Sequence, residues 1–492
     1  MAIILRTDSG SALSYAQVDT NFTSMFYSAS QSGNTMTFFR TGSTGLGIPS
    51  TSSSFSLVAD TLWTASGATI QRIGNVLVSG SFNNGLSCIT SGLFSHAQGQ
   101  STQATATGSH AEGYFAGASG RYSHAEGNTT NASGIYSHAE GLTTTASGTG
   151  SHAEGANTQA TGLASHAEGD STTAAGLGSH AEGGDTQAYG TYSHAEGESN
   201  IAVADGSHAE GTGNTASGSY SHAEGYGNIA RGTHSHAEGS STVTLGDFSH
   251  TEGYGSVTSG SYSHAEGYAA IASGQYSHAE GRQTIASGLM SHAEGFGATA
   301  QGDNSHAEGQ RAIAQGQVSH AEGGDTLASG YASHVEGYFA TASGDYSHAE
   351  GTNTVTVGVS SHAEGYYATA GGDYSHAEGE STSTLKRGSH AEGYFTVASG
   401  SYQHVQGQFN ISSSAQSAFI IGNGTSLSSR SNLVFASGST FQVTGSLMVK
   451  DILQLAVRTT TPTPVEGMII ASGSAGSSKV YYYNGTSWNA LF

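Results

Sequence analysis

Histidine and glutamate stand two residues apart in the word Ser-His-Ala-Glu-Gly, which recurs, with one-letter variants, from Ser95 to Gly407. Its histidines run from His96 to His404 at a constant interval of 14, so 308 residues divide into 22 intervals and 23 repeats. Of the 24 histidines only His234 lies outside the series. An imidazole beside a carboxylate can exchange protons as a general acid and base. It can also ligate a divalent ion, with the carboxylate orienting the ring, or form a hydrogen-bonded or ionic pair. Catalysis needs a unique constellation, and a pair that recurs 21 times does not make one. The expectation is therefore not an enzyme, and no cofactor is implied.

The spacing also dictates the elements that must hold these pairs. The consensus coil reads S-H-A-E-G-x-x-T-x-A-S-G-x-Y, numbered 1 to 14 below. Two stretches alternate with period two, and each is followed by a turn. Ser, Ala and Gly of the first stretch share one face, and His and Glu share the other. Positions 8, 10 and 12 are small, as in Thr130, Ala132 and Gly134. A 14-residue coil is wide enough inside only for such groups, so small residues are expected inside and large or polar ones outside. The glycine at position 5, from Gly99 to Gly407, is expected to supply a positive φ or a close backbone approach. Stacking coils at ~4.8 Å satisfies their backbone groups, and 23 layers would make a rod of roughly 110 Å.

Composition fits a narrow stack better than a globule. The 492 residues include 73 Gly and 3 Pro, with too few large aliphatics for the two or three cores that this length would otherwise need. Such a coil has little apolar core of its own and is expected to bury a face against other chains. The formal charge of −23, with 13 Lys plus Arg, argues against nucleic acid or an anionic membrane as partners. A single cysteine, Cys88, excludes an intrachain disulfide framework and reads as an inert small hydrophobe. The segment MAIILRTDSG lacks the pattern of a secretory signal, and no apolar run approaches ~18 residues. Synthesis in the host cytoplasm without membrane insertion is the expectation.

The pattern S-H-A-E-G-x-x-T-x-A-x-G resembles the head repeat of trimeric autotransporter adhesins, S-V-A-I-G-x-x-S-x-A-x-G at the same spacing, over about two-thirds of the chain. The resemblance implies an all-β fold, a left-handed parallel β-roll with three chains packed around one axis. SHAEG variants also resemble repeats of bacteriophage tail fibres. The family's apolar Val and Ile are His and Glu here, which changes the chemistry of the interchain face.

Residues 1–34 read as an N-terminal attachment segment with a short helix over Ser14–Phe26, where Val18, Phe22 and Phe26 recur at every fourth residue. Its phrase resembles the start of phage tail-fibre proteins. Residues 35–94 are a β-rich connector, 95–414 the β-roll, and 415–492 a β-rich trimerisation or tip module. In that last region Ala418–Gly422, Asn432–Phe435 and Lys479–Tyr483 read as strands, with a turn at Asn484-Gly485. The ending Tyr-Tyr-Tyr-Asn-Gly-Thr-Ser-Trp resembles small C-terminal modules of phage fibres.

The end repeats carry Gln98 and Gln406 in place of Glu, and end coils of solenoids are atypical. The carboxylate therefore belongs to the stacked interior of the array. With three chains about an axis, the expected arrangement is an interchain ladder of hydrogen bonds or ion pairs. Its members include His110 and Glu112, His124 and Glu126, His138 and Glu140, His264 and Glu266, His278 and Glu280, and His348 and Glu350. The net −23 is numerically matched by 23 repeat histidines, so an acid-sensitive ladder is conceivable. Axial metal at histidine rings such as His264, His278 and His292 is the sharper alternative, although nothing selects one layer over another. Exposure of both groups on the outer surface is the plain one.

Tyrosines at position 14, among them Tyr122, Tyr136, Tyr262, Tyr276, Tyr346 and Tyr374, would stack along a corner or cover a seam between chains. Alternatively they would stack on host glycans. The whole reads as a homotrimeric structural fibre of a phage virion, a tail or side fibre. Its partners would be other tail or baseplate proteins and a host-surface glycan or protein. A bacterial surface adhesin is the alternative within the class. A depolymerase tailspike would need an acidic cleft that the last 85 residues are too few to hold.

Overall fold

The protein is described from a computed structural model that covers residues 81–450, the strands Ser28–Ser32, Thr35–Phe39, Trp63–Ser66 and Thr69–Arg72, and residues 457–458, 463, 466–472 and 479–491. The helix expected over Ser14–Phe26 lies outside the described residues. Within them there is no helix, and so none long and apolar enough to cross a membrane.

Each coil holds two parallel strands. A five-residue strand begins at the histidine, as in His124–Asn128 and His138–Leu142, and a two-residue strand follows, as in Asn131–Ala132 and Thr145–Ala146. Within each unit of the array the coil strands pair with their own counterparts one repeat away: His124 with His138, Ala125 with Ala139, Glu126 with Glu140, and Ala132 with Ala146. A strict 14-residue repeat forces this register, because any slip would turn the small face outward. Turn backbones join the ladder too. The Tyr136 N–H donates to the Arg121 carbonyl at 2.9 Å and the Thr129 N–H to the Tyr114 carbonyl at 2.7 Å. The Ser137 hydroxyl donates to the Gly134 carbonyl at 2.8 Å and closes the corner.

The core follows the expected small positions. Ser123, Ala125, Thr130 and Ala132 are all buried, as are their equivalents along the array. The glycine of position 5 departs from the expected face. It is not sealed inside with Ser and Ala, because the chain bends there: φ lies between +94° and +118° from Gly99 to Gly407. A Cβ at Gly127 would stand 2.2 Å from the Gly141 carbonyl oxygen, so both expected reasons for glycine apply at once. Residues at positions 7 and 14 also take left-handed conformations without being glycine, as Phe115 (φ +54°) and Tyr122 (φ +58°) show.

Two units divide the chain, Met1–Asn353 and Thr354–Phe492, and together they hold about 24 coils. Among the described residues of the first unit, one coil precedes the histidine series. Phe82–Leu86 pairs in parallel with His96–Gln100, and Phe82 takes the histidine position. Cys88 sits in the Thr column of that coil, where its sulfur accepts a hydrogen bond from the Thr102 hydroxyl at 3.0 Å. In the second unit the coils end at His404–Gln408, on which Phe419–Asn423 pairs as one more parallel rung. Asn432–Ser437 then pairs antiparallel with that rung and with Thr440–Val443. Ile469–Ser472, Lys479–Tyr483 and Trp488–Ala490 form an antiparallel sheet. Its last turn is held by Asn484, whose side-chain oxygen accepts from the Thr486 and Ser487 N–H groups.

Candidate functional site

With Ser and Ala turned inward, the pleat leaves His and Glu side by side on the opposite face of the longer sheet. The stacking of coils then turns each residue type into a row. In the first unit the imidazoles from His96 to His348 lie one above another with centroids 4.6–4.8 Å apart and planes within 10° of parallel. In the second, His362, His376 and His390 do the same. His404 ends that row edge-on to His390, at 75°.

In most coils Nε2 faces a carboxylate. It lies 3.5 Å from its own coil's glutamate at His110 and Glu112, 3.6 Å at His124 and Glu126 and at His138 and Glu140, and 3.7 Å at His278 and Glu280. His348 and Glu350 approach to 3.9 Å. In the middle of the first unit the nearer carboxylate belongs to the preceding coil. His236 is 3.1 Å from Glu224 and 3.9 Å from Glu238, and His264 is 3.8 Å from Glu252. Glu266, expected to pair with His264, is thus not its nearest carboxylate. The structure assembles these pairs within one chain. About a third of each side chain stays exposed, 36% for His110 and 38% for Glu112. Yet Nε2 itself is sealed from water without a hydrogen bond in His110, His124, His138, His264 and His278.

The electrostatics of a row differ from those of a pair. Burial, then the neighbouring imidazole, holds His110, His124, His138, His264, His278 and His292 below the usual histidine value. The row does not favour protonation, so the numerical match between 23 histidines and the −23 charge does not become charge neutralisation at neutral pH. Carboxyls take up protons instead. Glu140 is pushed up to about 7, first by burial and then by Glu154 and Glu126. Glu280 is pushed up to about 7 by proton sharing with Glu294 and Glu266, then by burial. Glu154 is lowered by accepting hydrogen bonds from Glu168 and then Glu140, and Glu294 by accepting them from Glu280 and then Glu308.

A prediction follows for Glu280→Gln. A carboxyl whose folded value is about 7 against 4.5 contributes stability that is complete below pH 4.5 and lost as pH rises through about 7. Glutamine mimics the protonated form and cannot lose it. The variant should therefore melt higher than the parent at pH 8 and not at pH 4.5, in EDTA-containing buffer. A difference in melting temperature that does not vary with pH would refute the shared proton. The lowered histidines act in the opposite sense, their contribution falling as pH drops through 6.5.

The tyrosines of position 14 make a second row. Tyr220, His234, Phe248, Tyr262 and Tyr276 form one column of rings 5.0 Å apart. His234, the one histidine off the main series, is a member of this column. Tyr122 and Tyr136 stack at 5.4 Å, Tyr346 meets Tyr331 edge-on, and the Arg387 guanidinium lies 4.7 Å over the Tyr374 ring. Within a column each ring face is covered by the next, so edges and hydroxyls face solvent. A feature the sequence reading missed is an interior amide ladder. Asn200, Asn214 and Asn228 replace Thr at position 8. The Asn214 N–H donates to the Asn200 side-chain oxygen at 2.7 Å, and the Asn228 N–H to that of Asn214, also at 2.7 Å. Three asparagines exactly one repeat apart were the available signal.

Comparison with known proteins gives one family. The model described as YadA head domain repeat (2 copies) matches residues 265–289, 293–319, 321–347 and 349–375. No curated protein matches the chain. By those four segments and by the geometry of its coils, the solenoid is similar to the β-roll of YadA-type adhesin heads.

Proposed function

We propose that the chain is a non-catalytic structural and adhesive fibre protein that works as a homotrimer, and that it serves as a tail or side fibre of a phage virion. The observation that carries the structural role is uniformity. Coil after coil presents the same His, Glu and turn residues in one register, which suits a stiff spacer and gives no layer the unique constellation that catalysis needs. The YadA-type repeats, typical of homotrimeric adhesins, support three chains and an attachment role. The likeness of the flanking segments to phage fibres supports the virion assignment, with tail or baseplate proteins and a host-surface glycan or protein as partners. The head-repeat match itself favours a second reading, a bacterial surface adhesin.

Native mass measurement should give three times 49.7 kDa. A stable monomer would overturn the trimer. Gold-labelled antibody against the repeat array should decorate fibres on purified virions. Label confined to the bacterial surface would replace the phage reading by the adhesin one.

A further inference from the structure

We propose that the histidine–glutamate row is a linear array of binding sites for divalent transition-metal ions of the Zn²⁺ and Ni²⁺ class, held within a single chain. The donor atoms of His124, Glu126 and His138 all lie within 4.8 Å of one another. The same triplet recurs at His138, Glu140 and His152, at His152, Glu154 and His166, at His166, Glu168 and His180, and at His180, Glu182 and His194, and 12 more groups of three or more such side chains lie along the described residues. Each site thus spans two layers and needs no partner subunit, unlike a ring of histidines on a trimer axis.

Three observations point to a metal rather than to the pair alone. The first is distance. A tetrahedral ion with bonds of about 2.0–2.1 Å holds its ligands about 3.4 Å apart. The His124 Nε2 and Glu126 oxygen are 3.6 Å apart, and the same separation recurs at His138 and Glu140. The second is the state of the nitrogen. Nε2 of His124, His138 and His152 is sealed from water and lacks a hydrogen bond, which leaves each of these three polar atoms with an unmet requirement. An ion at that point would meet it. The third is the donor set. Imidazole with carboxylate suits zinc, nickel or copper, whereas calcium and magnesium need a cage of oxygens.

Geometry also limits the filling. Stacked imidazoles are 4.7–4.8 Å apart, so an ion must draw two rings together by tilting them. Neighbouring triplets share a histidine and cannot fill at the same time. Of the triplets present, roughly eight per chain can be occupied at once.

The test uses the full chain, stripped with EDTA and titrated with Co²⁺ and Zn²⁺. The expected result is several ions per chain, visible Co²⁺ bands of tetrahedral intensity, a higher melting temperature, and no displacement by millimolar Mg²⁺ or Ca²⁺. The variant Glu126→Gln, Glu140→Gln, Glu154→Gln keeps the shape, since the chain itself places Gln98 and Gln406 at this position. It should lose the ions of those layers while its metal-free melting curve stays cooperative. One ion or none per chain, a pale octahedral Co²⁺ spectrum, or unchanged stoichiometry in the triple variant would each overturn the proposal. The last would mean that exposed imidazoles bind metal without the carboxylate.

Discussion

Gly274→Ala should destabilise the solenoid by about 3 kcal/mol per chain, the upper end of the range for forcing an extra methyl into close-packed surroundings. Gly274 sits at position 12, where φ is not positive, so backbone preference has no part in the cost. The added Cβ would stand 1.9 Å from the carbonyl oxygen of Gly288 in the next coil. That oxygen belongs to the stacked backbone and cannot swing aside as a flexible side chain would. The two layers must separate, and the ladder bonds around them weaken. Gly150→Ala is the matched control. It carries φ +66° with nothing within 4 Å of the new methyl, so it costs only the left-handed conformation, about 1 kcal/mol. Because coils couple mainly to their neighbours, amide exchange near Gly288 reads the effect more directly than the global melt. Equal losses in the two variants would show that layer spacing is not what demands glycine at position 12.

The second large effect concerns the interior. Ala132 is fully buried, and Ala146 lies directly beside it in the next coil. Ala132→Leu should overpack the coil and cost ~1–3 kcal/mol or more. The chain marks the limit itself, since at position 10 the largest groups it places are threonines such as Thr244 and Thr258. These earn their room by hydrogen-bonding through Thr251, at 2.8 Å and 2.6 Å. Thr129→Leu lies three residues away on the exposed turn and should leave the denaturation midpoint nearly unchanged. If both variants are silent in chemical denaturation, the inward assignment of position 10 is wrong.

The comparison of these two sites shows what kind of information the sequence carries. A constant interval of 14, small residues at positions 1, 3, 8, 10 and 12, and two alternating stretches are local facts. Local alternation is enough to decide which side chains share a face. Fold class, coil length, the buried alanines and the outward His and Glu were therefore legible before any coordinates. The demand for glycine at position 5 was legible as well, because an invariant glycine in a repeat has few physical causes.

The rest depends on what stands in the adjacent layer. The spacing of 14 says that His124 and His138 are equivalent. It does not say that their rings stack at 4.7 Å, that Nε2 is sealed against a carboxylate, or that the nearer carboxylate moves from the same coil to the preceding one near His236. Nor does it reveal that position 5 leaves the interior face, since that follows from a φ near +105° rather than from polarity. The charge balance was the plainest case. Counting showed only that 23 repeat histidines match the net −23 in number, which leaves their protonation open. Burial, and then the imidazole one layer away, instead holds histidines such as His264 and His278 below their usual value, while the proton shared with Glu294 and Glu266 pushes Glu280 up to about 7. Composition and period determine which residues meet along the axis, and only their actual separation decides which of them can bear a charge.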